Sequence, residues 1–128
     1  MTQHHRINYI EFAAHDLERI QRFYGSVFNW QFQAYGPDYC GFKDNAANLH
    51  ENGGFYRVPA GAAASSTANG AALTVLWSDD LEASAAAITQ HGGVITKAIF
   101  AFPGGRRFQF TDPCGNELAV WCAPSGSV

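Results

Sequence analysis

Charge is scarce in this sequence. Of its 128 residues 15% are Asp, Glu, Lys or Arg, and the acids prevail, leaving a net charge of -3. A chain so weakly and negatively charged has no basic stripe to offer a nucleic acid. Long apolar runs are also missing. Nothing approaches the roughly 18 residues that a membrane-crossing helix needs, so no membrane is expected as a partner. The opening MTQHHRINYIEF lacks an apolar signal region, so a cytoplasmic rather than a secreted protein is expected. The three cysteines, Cys40, Cys114 and Cys122, are odd in number and show no CxxC spacing, which reads as reduced thiols rather than a disulfide framework or a zinc site. No GxSxG, P-loop or GxGxxG occurs, so covalent hydrolase, nucleotidase and dinucleotide-binding readings find no support.

What is present is apolar and patterned. Apolar residues make up 47% of the chain and aromatic ones 14%, enough for a real core. INYIEF at 7–12 alternates as a strand does, with Ile10 and Phe12 on one face and Tyr9 and Glu11 on the other. Asp16 is a good N-cap, and Leu17, Ile20, Tyr24, Val27 and Phe28 recur at helical spacing, which predicts a helix over 17–28. Strands follow at 30–35, 39–43 and 53–58, separated by a Gly36-Pro37-Asp38 turn and a polar loop at 44–52. The small-residue stretch 60–70 reads as a linker. Beyond it the order repeats. A strand at 72–77 leads to a helix at 81–90, capped by Asp80 and stopped by Gly92 and Gly93. Strands at 94–97, 107–111 and 117–122 complete the series, the last two joined by the Asp112-Pro113-Cys114-Gly115-Asn116 turn.

The chain therefore reads as an α+β protein of two βαβββ modules, 7–59 and 71–123, joined by the linker 60–70 in a single domain. Asp16-Leu17-Glu18 recurs as Asp80-Leu81-Glu82, and Phe42-Lys43-Asp44 is echoed by Phe110-Thr111-Asp112 in the same element order. Each amphipathic helix covers one face of its own sheet. The other faces still carry large apolar groups, so two modules side by side are expected to form a half-open barrel around a ligand cleft. The residues assigned to that cleft are Tyr9, Glu11, Trp77, Arg106, Phe108, Phe110 and Trp121. Glu11 is its polar handle and a tentative catalytic base, since a dry, unpaired carboxylate suits proton transfer. Arg106 and Arg107 follow a Gly-Gly turn and could recognise a carboxylate; Arg106 is the one assigned to orient the ligand's polar end, and the aromatics would pack the ligand.

DLERIQRFYGSVFNW, the FTDPCGNELAVW hairpin and the paired βαβββ order resemble the vicinal oxygen chelate superfamily, the glyoxalase, bleomycin-resistance and dioxygenase-like proteins. INYIEF and FPGGRRFQFTDP look like its small glyoxalase-like members. The resemblance covers about residues 7–123. It implies a His on the first strand of each module and a Glu on the last in metal-dependent members. Those positions fall here on Tyr9, Leu73 and Ala119, with the fourth on Glu51 or, allowing a gap, on Gly53 or Gly54. Leu and Ala cannot coordinate and a neutral Tyr is a poor ligand, so no metal and no cofactor are expected. An atypical site using His50, Glu51 or Glu117 stays open.

The function expected from this is binding of a small, partly apolar molecule in the cleft without a metal. The alternative is a lyase, isomerase or dioxygenase-type enzyme acting in the same cleft, with or without a divalent ion. The resemblance further implies a homodimer.

Overall fold

The computed structural model describes residues 3–62 and 64–124. They form two compact units, one within Met1–Ala62 and one within Ala63–Val128. The first unit contains β1 (Ile10–Ala14), α1 (Leu17–Phe28), β2 (Gln31–Ala34), β3 (Tyr39–Lys43) and β4 (Gly53–Arg57). The second contains a single 3-10 turn (Thr67–Asn69), then β5 (Thr74–Trp77), α2 (Leu81–Gln90), β6 (Val94–Phe102), β7 (Gly105–Thr111) and β8 (Glu117–Cys122). Both units are βαβββ. Their sheets have the equivalent orders β1-β4-β3-β2 and β5-β8-β7-β6. In each, the first and last strands pair in parallel and the remaining pairs are antiparallel.

The helices start and stop where their chemistry dictates. Asp16 accepts a hydrogen bond from Arg19 N at 3.1 Å, and Asp80 accepts one from Ala83 N at 3.1 Å. Asn29 ends α1 in the left-handed region at φ 61°. Leu17, Ile20, Phe23 and Tyr24 of α1 are buried, as are Leu81 and Ile88 of α2. In the first unit Trp30 stacks on Tyr24 at 4.5 Å and on Phe42 at 4.3 Å, and Phe12 stacks on Phe55 at 5.3 Å. In the second, Phe108, Phe110, Leu118 and Val120 are fully buried with Leu81 and Ile88.

Strands β1 and β6 differ most from the sequence reading, the others by no more than two residues at an end. The ladder of β1 begins at Ile10 opposite Gly53, leaving Ile7 almost fully exposed. A side chain at Gly53 would collide with the Phe42 ring, so the start of the β1–β4 ladder depends on that glycine. Strand β6 runs on to Phe102 through two register shifts, which break the alternation that would have revealed it.

The stretch expected to be a linker is tied down in its second half. Thr67 donates from N and Oγ1 to Glu117 Oε1 at 2.9 and 2.7 Å. Ser65 N donates to Asn116 Oδ1 at 3.3 Å, and Glu117 N donates to Ser65 O at 2.7 Å. Glu117, only 7% exposed, also accepts from Gln109 Nε2 at 2.9 Å and Thr96 Oγ1 at 3.3 Å through Oε2. These donors, the Thr67 amide first, hold its carboxyl below the ordinary range.

A depressed folded-state pKa stabilises the fold above the unfolded value, and that contribution is lost as pH falls through the folded one. Glu117→Gln should therefore lower unfolding free energy by about 1–3 kcal/mol at neutral pH. The gap to the native chain should close as pH drops below about 4.3. Urea melts across that range check both parts. A gap that does not change with pH counts against the carboxylate's role.

Candidate functional site

Strand pairing fixes which side chains share a face. In the first unit, Ile10, Phe12, Phe55, Cys40 and Phe42 lie on the face with the buried core. The alternate residues Glu11, Gly54, Gly41 and Tyr39 lie on the other, together with Tyr56, which is exposed. There Tyr39 donates its hydroxyl to Glu11 Oε2 at 2.9 Å, and the Tyr9 and Tyr39 hydroxyls meet at 2.6 Å. Since the Tyr39 proton is directed to Glu11, Tyr9 must be the donor to Tyr39. The result is a directional chain, Tyr9 to Tyr39 to Glu11. Burial, the bond with Tyr9 and the bond to Glu11 raise the Tyr39 pKa well above that of a free phenol, so it stays a donor. Glu11 Oε1 has no protein partner among the described residues.

A second phenol–carboxylate pair belongs to the same unit. Tyr35 donates to Glu51 Oε2 at 2.9 Å, and this bond is the first cause of the raised Tyr35 pKa. Two glycines make room for both pairs. A Cβ on Gly54 would strike the Tyr39 hydroxyl and one on Gly41 the Glu51 carboxylate. Glu51 also borders a cavity of about 210 Å³ with Gln31, Phe32, Gln33 and Lys43.

In the second unit the face opposite the core carries Val75, Trp77, Arg107, Gln109, Glu117, Ala119 and Trp121, by their mutual register. Trp77 and Trp121 meet edge to face at 5.1 Å, and Phe102 lies 6.4 Å from Trp121. Trp77 is 53% exposed and donates its Nε1 proton to Asp79 Oδ1 at 2.8 Å, leaving its ring free to pack.

Of the residues assigned from sequence, Tyr9 and Glu11 are brought together, and so are Trp77 and Trp121. Three require correction. Phe108 pairs with Val120 and Phe110 with Leu118, so both belong to the buried core face and have no exposed surface. Arg106 shares that core-side parity with Cys122, and it grips Glu82 in the first turn of α2 at 2.7 and 3.3 Å. Its guanidinium anchors the helix rather than a ligand. The arginine on the open face is Arg107, which the sequence reading weighed beside Arg106 but did not assign to the cleft. Tyr39 was missed as well. The alternation within 39–43 was visible, but its partner Glu11 is 28 residues away and only the sheet register joins them.

The metal question can be tested on the donors. Ala119 pairs with Val75 and Gln109, and in the first unit the residue paired with Glu11 and Gly41 is Gly54. The fourth position implied by the resemblance is therefore Gly54, not Glu51. Tyr9, Leu73, Gly54 and Ala119 do not fit a divalent ion, which normally takes about three protein ligands. Among the described residues no three His, Cys, Asp or Glu side chains converge to hold one. Of the atypical candidates His50, Glu51 and Glu117, Glu51 accepts from Tyr35 and Glu117 already has four acceptor bonds from protein donors.

Comparison with known proteins agrees with the fold. The family model described as Glyoxalase/Bleomycin resistance protein/Dioxygenase superfamily matches residues 6–120. No curated protein matches. Among solved structures, similarity extends to a glyoxalase/bleomycin resistance protein/dioxygenase family enzyme from Burkholderia phytofirmans PsJN, with TM-score 0.69, 16% identity and coverage of 91% of this chain and 98% of that one. The fosfomycin resistance protein FosX from Mesorhizobium loti gives TM-score 0.71 and 16% identity, over 94% of each chain. TnmS3, an antibiotic binding protein from Streptomyces sp. CB03234, gives TM-score 0.64 and 18% identity, over 92% of this chain and 95% of that one. At these identities the likeness establishes the fold alone. No helix among the described residues is long and apolar enough to cross a membrane.

The glycine at 54 yields a direct check on the phenol chain. Gly54→Ala should destabilise the protein by about 1–3 kcal/mol through the forced shift of Tyr39. Adding Tyr39→Ala should recover part of that loss, because the colliding ring is gone. Denaturant unfolding of the two single variants and the double variant measures the coupling. Strict additivity would contradict the close approach.

Proposed function

We propose that this chain, which belongs to the glyoxalase/bleomycin resistance protein/dioxygenase superfamily, binds a small, partly apolar molecule on its open sheet faces and does so without a metal. The observation that carries this reading is the directional chain from Tyr9 through Tyr39 to Glu11. Both of its available atoms, the Tyr9 oxygen and Glu11 Oε1, are acceptors. A ligand meeting them must present a donor, such as an amine or hydroxyl. On the second unit's own open face, Trp77 and Trp121 supply a flat, rigid apolar surface on which an apolar group can pack, at little cost in side-chain entropy.

A second reading is favoured by the same carboxylate. With Oε2 held by Tyr39 and Oε1 unpartnered, Glu11 is positioned to take a proton from a bound substrate as a general base. The protein would then be a lyase or isomerase. We also expect a homodimer, since Val75, Trp77 and Val94 remain exposed in the second unit. Light scattering should give twice the mass of one chain.

Glu11→Gln separates the two functional readings. If Glu11 only orients a donor, affinity for a bound ligand should weaken by about 1–3 kcal/mol. If it is a base, turnover should fall by roughly 10²-fold or more while binding survives. An identified ligand indifferent to the change would sink both assignments. Trp121→Ala should weaken a ligand packed on the second unit's open face by about 1–3 kcal/mol. Elemental analysis of protein purified without added ions should find no stoichiometric Zn, Mn, Fe or Ni, and one bound ion per chain would overturn the metal-free reading.

A further inference from the structure

Arg107 contains the one buried side-chain polar atom without a hydrogen-bond partner among the described residues, its Nε. Among the described residues its side chain makes one hydrogen bond, from Nη2 to Gln109 Oε1 at 3.2 Å. No carboxylate of the described residues lies within ion-pair reach of it. A half-buried guanidinium with neither a counter-ion nor a full set of acceptors is costly, and such a cost calls for an explanation.

Its surroundings supply one. Lys97 is paired with Gln109 and Phe100 with Arg107 in the β6–β7 ladder, so both stand beside Arg107 on the open face. Lys97 Nζ lies 5.0 Å from the Phe100 ring centroid and Arg107 Cζ lies 5.8 Å from it. Two cations thus flank one ring, and among the described residues Lys97 has no carboxylate partner either. The ring quadrupole offsets part of their desolvation, but it cannot cancel their mutual repulsion. Glu117, the acid on the same face of β8, takes its four bonds from Thr67, Thr96 and Gln109, none from Lys97 or Arg107. On the other side of Arg107, across the β7–β8 ladder, is Trp121.

We propose that Lys97 and Arg107 form an oxyanion subsite, and that the ligand carries a carboxylate or chemically similar oxyanion on an aromatic or apolar body packed on Trp121. This deepens the proposed function and rests on its reading that the second unit's open face receives a ligand. The exposed ammonium and the unpaired Arg107 Nη1 would share the anion's oxygens, and charge-assisted bonds of this kind are the stronger ones.

The matched probes 1-naphthoate and 1-naphthamide test it, followed by tryptophan fluorescence at low salt. The native chain should bind the acid at least about tenfold more tightly than the amide. In the double variant Lys97→Gln/Arg107→Gln that preference should vanish while amide binding persists. Lys97→Gln alone, at an exposed position that the fold tolerates, should reduce the preference by about threefold or more. Equal affinity for the two probes, or a preference that survives the double substitution, overturns the subsite but leaves the binding reading standing. Failure of both probes to bind, with Trp121→Ala making no difference, overturns the subsite together with that reading.

Discussion

Parallel pairing of the first and last strands governs each unit. A parallel pair cannot be closed by a tight turn, so the chain must leave β1 or β5, build a crossover helix and return through two further strands. The helix covers one sheet face with apolar residues and leaves the alternate residues of every strand uncovered. The core and the candidate site are consequently two readings of the same strands at period 2. Phe12 and Glu11, or Val120 and Trp121, differ in role because they differ by one position. A slip of one residue in the β7–β8 ladder would exchange the buried phenylalanines for Arg107 and Gln109, a cost no small domain could bear.

That parity explains what was legible in the sequence and what was not. The helices were, because an Asp N-cap and a 3.6-residue spacing are local signals, and both appear twice. The two-unit order followed from them. The assignment of Phe108 and Phe110 to the open face failed although the means to place them lay in the same stretch. A five-residue turn from Asp112 to Asn116 sets Thr111 against Glu117, and the ladder then sets Arg107, not Phe108, opposite Trp121. Choosing large aromatics as ligand-facing overrode the register that the turn had fixed. The same slip exchanged Arg106 for Arg107. Sequence reasoning could not reach the Tyr39–Glu11 contact, because it arises where β1 and β3 both border β4, and nothing local to either strand reports it.

The two open faces have diverged in chemistry while keeping one topology. The first carries phenols and carboxylates, whose unoccupied atoms accept hydrogen bonds. The second carries indoles, a guanidinium and an ammonium. Glu11 and Val75 occupy equivalent places, as do Gly54 and Ala119, by their matching ladders. Duplicated scaffolds can vary such positions freely, since residues on the open faces contribute little to the packing that holds each sheet to its helix.

The cross-strand glycines Gly41 and Gly54 show how depth can be set by subtraction. Their counterparts in the second unit are Gln109 and Ala119, opposite one another in the β7–β8 ladder. Where the second sheet is carpeted by an amide side chain, the first is bare backbone, and the side chains of Tyr39 and Glu51 lie down across it. The relief of the surface is thus written in missing carbon atoms. A lineage wishing to reshape this face need not move a strand. It has only to add a methyl group at one of two positions, and the Tyr39 phenol or the Glu51 carboxylate lying above must lift accordingly.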